Sequence, residues 1–89
     1  MNYEKLELSN EEESEIYQII GKNVKKHRTD KGFTQLSLSL AMGHKAVGTV
    51  SMAELCINNK HFNIKHLVQI SKILDIKLCE LFDGIETTD

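Results

Sequence analysis

Two glycines, Gly32 and Gly43, cut the middle of the chain into short segments, and that division constrains the fold more than any other feature. The stretch from Lys22 to Glu54 reads KNVKKHRTDKGFTQLSLSLAMGHKAVGTVSMAE. A basic helix end runs up to Gly32. Thr34-Gln35 then opens a short apolar-periodic helix that stops at Gly43, and a second short helical segment closes in Glu54. Two short helices joined by a tight turn form a unit that can set one helix into the major groove of duplex DNA.

The chain has 89 residues, enough for one small domain. Hydrophobic residues make up 40% and charged residues 27%, as in ordinary globular domains, and proline is absent, which favours helices. A core of this size gives modest stability, so support from a partner is expected. No apolar run approaches the ~18 residues of a membrane span. The N-terminus MNYEKLELSNEEE is acidic and has no apolar stretch, unlike a signal peptide. Cys56 and Cys79 are too few for a disulfide scaffold, so they are expected as reduced thiols in a cytoplasmic protein.

A net charge of −2 looks unsuited to a polyanionic partner until its distribution is considered. Residues 1–21 carry six acids and one lysine, net −5; residues 22–72 carry nine basic residues against Asp30 and Glu54, net +7; residues 73–89 carry five acids and Lys77, net −4. A basic middle between acidic ends can bind phosphates locally, whatever the overall balance. The competing reading is a set of solvated faces.

The spacing predicts an all-α bundle of five helices, with no strand pattern. Met1–Leu8 is expected to fray. Ser9 with Glu12, or equally Asn10 with Glu13, fits a capping box for a first helix running to about Asp30. Its apolar stripe is Ile16, Ile19, Ile20, Val24 and His27, and Gly32 is its stop. The second helix spans Gln35 to Met42 behind an N-cap at Thr34, with Leu36, Leu40 and Met42 as its apolar positions. The third starts within Lys45–Gly48 and reaches Leu55 or Cys56. Asn63 caps the fourth, where Phe62 can staple against Leu67 and where Ile64, Leu67, Val68, Ile70, Ile73 and Leu74 give a broad apolar face. Lys77–Phe82 makes the fifth. The expected organisation is an acidic arm with the start of the first helix over 1–15, the helical domain over 16–82 and a flexible acidic tail over 83–89.

In this order the residues carry a family pattern: Ile20-Gly21-Lys22, Arg28, Lys31-Gly32-Phe33-Thr34-Gln35, Gly43, Val50-Ser51, Glu54, then Ile64, Leu67, Ile70, Leu74, Ile76 and Glu80-Leu81-Phe82. The chain resembles the Xre or Cro/repressor-type (lambda-repressor-like) helix-turn-helix proteins over about residues 19–82. The resemblance implies a compact five-helix lambda-repressor-like fold and a sequence-specific DNA-binding transcriptional regulator, a repressor or a restriction-modification-type controller acting as a homodimer. It also implies that Arg28 pairs with Glu54, the glutamate closing the recognition helix; the alternative is two unrelated surface charges. The segment from Gly43 to Glu54 is one residue longer than the usual pattern. It contains an internal glycine, Gly48, which costs a helix about 1 kcal/mol relative to alanine.

On this reading the DNA contacts divide by type. Gln35 opens the second helix, where a free backbone N–H and the side-chain amide favour a phosphate, while Thr34 acts mainly as a cap. Lys25 neutralises phosphate from the first helix. With Val50 and Ala53 turned inward, the outward positions of the third helix are Lys45, Val47, Gly48, Thr49, Ser51 and Met52. Lys45 suits guanine acceptors, Thr49 and Ser51 bases or phosphates, and Val47 and Met52 thymine methyls. The set has little bidentate capacity, so part of any discrimination falls to DNA shape.

Rival readings differ in class. The soft residues Ala46, Val47, Gly48 and Met52 suit a protein-interaction module or antitoxin on the same scaffold. Cys56, His61, His66 and Cys79 are zinc-ligand types, but their spacing matches no zinc motif. No nucleophile elbow, phosphate-binding glycine loop or carboxylate pair points to an enzyme. The expected partners are duplex DNA and a second copy of the chain, with no membrane, metal, cofactor or small-molecule substrate.

Overall fold

Local capping explains most of the helix boundaries in the computed structural model, which describes residues 7–86. Helix α1 spans Asn10–Asp30. Of the two candidate caps Ser9 is the one used: its Oγ accepts from the Glu12 backbone N–H at 3.1 Å, and the Glu12 carboxylate accepts from the Ser9 N–H at 3.4 Å. Glu11, Glu12 and Glu13 occupy the first turn and His27 and Arg28 the last, each matching the helix dipole. The chain reverses through Gly32 at φ +80°, and the Phe33 N–H returns to the Arg28 carbonyl at 2.9 Å.

Helix α2 is Gln35–Ala41, capped by Thr34, whose Oγ1 accepts from the Ser37 N–H at 2.9 Å. Gly43 at φ +91° ends it, with the His44 N–H donating to the Ser39 carbonyl. Helix α3 is Gly48–Leu55. No side chain caps its start, where Val47 is already in helical geometry, and Cys56 ends it in the left-handed region. A 3-10 turn over Ile57–Asn59 leads to α4, Ile64–Leu74, where Asn63 accepts from the His66 N–H at 2.8 Å.

The expected fifth helix is not an α-helix. Leu78–Phe82 winds as a five-residue 3-10 helix, so the described residues form an all-α domain of four α-helices without a strand. The segment is too short to repay α-helical nucleation, and the tighter i to i+3 bonds of a 3-10 turn suffice to close it. Leu81 anchors it, fully buried, while Leu78 is 37% exposed.

The core gathers Ile20 and Val24 of α1, Leu38 and Met42 at α2, Val50 and Ala53 of α3, Phe62, Leu67, Ile70 and Leu74 about α4, and Leu81. Burying each large side chain contributes about 1.5–3 kcal/mol. Three expected core positions are corrected. Leu36 and Leu40 are 48% and 55% exposed, and α2 instead buries Leu38 and Ser39. Ile64, 66% exposed, lies off the buried face of α4.

Residues 1–6 of the acidic arm and 87–89 of the tail, expected to fray or flex, lie outside the described residues. Within them, the Asn23 amide donates to the Leu81 and Asp83 carbonyls at 3.0 and 2.8 Å, and Ile85 packs partly on the core.

Candidate nucleic-acid interface

The geometry of α3 depends on one buried carboxylate. Glu54 is 4% exposed, and a charge so placed needs several strong donors to offset its lost hydration. Arg28 Nε donates to Glu54 Oε2 at 2.7 Å and Arg28 Nη2 to Oε1 at 3.1 Å, a two-pronged arrangement that suits guanidinium and carboxylate shapes. Gln35 Nε2 adds a third bond to Oε1 at 3.0 Å. The remaining Arg28 prong, Nη1, donates to the Phe33 carbonyl at 2.9 Å. One cluster therefore joins the end of α1, the turn after it, the start of α2 and the end of α3.

Backbone packing reinforces this junction. Gly21 of α1 faces the carbonyl groups of Ala53 and Glu54, and a Cβ at Gly21 would overlap the Glu54 carbonyl oxygen. Only the missing side chain lets α1 and α3 approach this closely. Gly21 was visible in the sequence as part of a motif, but nothing in its local spacing assigned it this contact.

The remaining candidate residues divide by exposure. Lys25 lies exposed on α1, three residues from buried Arg28, and Lys45 is exposed before α3. Val47 and Met52 are each 37% exposed, whereas Gly48, Thr49 and Ser51 are half-buried. Ser51 Oγ donates to the Gly48 carbonyl at 3.2 Å, so its hydroxyl proton is already engaged. Thr34 is exposed with its oxygen occupied as the α2 cap. Gln35 differs most from its expected use, because its side-chain amide turns inward to Glu54 and leaves one amide proton and its backbone N–H at the helix start.

The residues weighed as zinc ligands do not converge. Among the described residues no three His, Cys, Asp or Glu side chains are placed to hold a metal ion. Cys79 is exposed, and burial raises the pKa of the Cys56 thiol. His61 instead stacks on Tyr17, ring centroids 3.7 Å apart. His66 lies edge-on to both His44 and Phe62. Its pKa is lowered by burial, and further by His44 and Lys65. The Tyr17–His61 and His44–His66 contacts had no sequence signature, since their partners lie far apart in the chain.

No described helix is long and apolar enough to cross a membrane. Comparisons with protein-family models, characterised proteins and solved structures find no match for the chain.

Proposed function

We propose that this protein binds duplex DNA as a sequence-specific regulator, a repressor or controller of the Xre or Cro/repressor type, acting in the cytoplasm as a homodimer and not as an enzyme. The supporting observation is the Arg28–Glu54–Gln35 cluster, which fixes the end of α3 against α1 and α2 while the start of α3 stays uncapped and borders exposed Lys45, Val47 and Met52. A helix held rigidly at its inner end and open at its N-terminal turn is suited to enter a groove, and its free N–H groups attract phosphate. The charge distribution agrees, with net +7 over residues 22–72 from nine bases and two acids.

A second reading keeps the scaffold but gives it a protein partner. Its support is the apolar surface of Leu36 and Leu40 on α2 and Leu55 at the end of α3, at 62% exposure. Gel mobility shift with random-sequence duplex DNA across a salt series separates the two. For a DNA-binding domain the logarithm of affinity falls linearly with log salt, with a slope near −0.9 per phosphate neutralised. Absence of any shift at low salt would leave the protein-partner reading.

A further inference from the structure

Between α3 and the start of α4 lies a cleft of about 300 Å³. One wall is Thr49, Met52 and Ala53 of α3; the other carries Lys60, His61 and His66, with His44 completing it. Every ionisable side chain lining it is a base, and the remaining lining is small or apolar. The volume is at the lower end of ligand cavities, suited to a compact metabolite rather than to a nucleotide.

The three histidine rings are held by aromatic contacts. His61 is stacked on Tyr17 at 3.7 Å and 15°, which fixes the loop bearing Lys60. His66 is flanked edge-on by His44 at 5.8 Å and by Phe62 at 6.2 Å. His66 Nδ1 accepts the Asn63 backbone N–H at 3.2 Å, so in the neutral ring Nε2 carries the proton and is a donor. His44 Nε2 is buried with no hydrogen-bond partner among the described residues. Held imidazole donors and the Lys60 ammonium beside an apolar wall match an anion joined to an apolar body.

We infer that this cleft binds a small organic carboxylate, with the carboxylate on Lys60 and His66 and the apolar body against Met52 and Ala53. The inference goes beyond DNA binding and does not depend on it. Thr49 and Met52 also belong to the proposed base-reading set, so if α3 does meet DNA, an occupied cleft alters the surface it offers.

The test is amide-resolved NMR titration of the protein alone with benzoate, to about 20 mM, a range that reveals millimolar binding. Parallel titrations use acetate, which lacks the apolar body, and inorganic phosphate. The expected result is saturable movement of the Thr49, Met52, Ala53 and 60–66 amides. Benzoate should bind at least about threefold tighter than acetate or phosphate, which lack the apolar body. Lys60→Gln, at an exposed position, and His66→Gln should each weaken binding about fivefold or more, with Leu40→Ala as the unaffected control. Non-saturating shifts, phosphate binding as tightly as benzoate, or Lys60→Gln binding like the unaltered protein would overturn the assignment. Since DNA is absent, failure here is distinct from failure to bind DNA.

Discussion

The carbonyl oxygen of Glu54 closes over Gly21 so tightly that no side chain fits between them. Alanine is the better helix former by about 1 kcal/mol, yet here the added methyl must push two backbones apart. Gly21→Ala should therefore destabilise the protein by about 1–3 kcal/mol in urea denaturation, the usual range for an overpacked contact. Gly48→Ala is the matched control: a Cβ there meets nothing within 4 Å. It should stabilise by about 0.4–1 kcal/mol. A Gly21→Ala protein as stable as the original would mean that α1 and α3 are not in this contact.

Removing either partner of the Arg28–Glu54 pair strands a buried charge. Arg28→Ala and Glu54→Ala should each cost about 3–5 kcal/mol, far above the cost for an exposed pair. In a double-mutant cycle the two losses should be strongly non-additive. Additive losses would show that the two side chains do not interact.

The two leucine faces of α2 should respond differently. Leu38 is fully buried, and Leu38→Ala should cost about 2–5 kcal/mol. Leu36→Ala and Leu40→Ala, at 48% and 55% exposure, should each change stability by less than about 1 kcal/mol. Equal costs at the two faces would mean that the helix is rotated from this orientation.

His66 gives the fold a pH dependence of known sign. Its pKa is lowered in the folded state by burial, His44 and Lys65, so the unfolded chain binds the proton more readily. Its contribution is fully present above the unfolded value near 6.5 and is lost as pH falls below it through the lowered folded value. Protonation also removes the Nδ1 acceptor for the Asn63 N–H. Denaturant midpoints at about pH 7.5 and pH 5.5 should fall further on acidification for the original protein than for His66→Gln. Parallel pH profiles would rule this contribution out.

For the proposed DNA complex, Thr49→Ala should relax preference at one or two base pairs, while Lys25→Ala and Lys45→Ala should flatten the salt dependence and leave base preference unchanged. Gln35→Ala should weaken all sequences about equally, and because its amide also bonds the buried Glu54 carboxylate it should lower stability by about 1.5–3 kcal/mol. A changed sequence preference with Gln35→Ala but not with Thr49→Ala would place the wrong helix in the groove.

The sequence by itself determined what depends on contacts three or four residues apart. The caps at Ser9, Thr34 and Asn63 and the stops at Gly32 and Gly43 are of this kind, because a helix end is closed by its nearest neighbours. Only the tertiary structure decided which face of Leu-Ser-Leu-Ser-Leu turns inward. With a helical period of 3.6, Leu36 and Leu40 share one side and Leu38 and Met42 another, so both read as apolar stripes and only docking on the core selects between them. The same holds for Gln35, whose amide could face solvent until Glu54 arrived from nineteen residues away. It holds too for Leu78–Phe82, where seating Leu81 in the core accompanies a 3-10 rather than an α turn. In each case local energetics left alternatives nearly equal, and long-range burial and pairing of polar groups separated them.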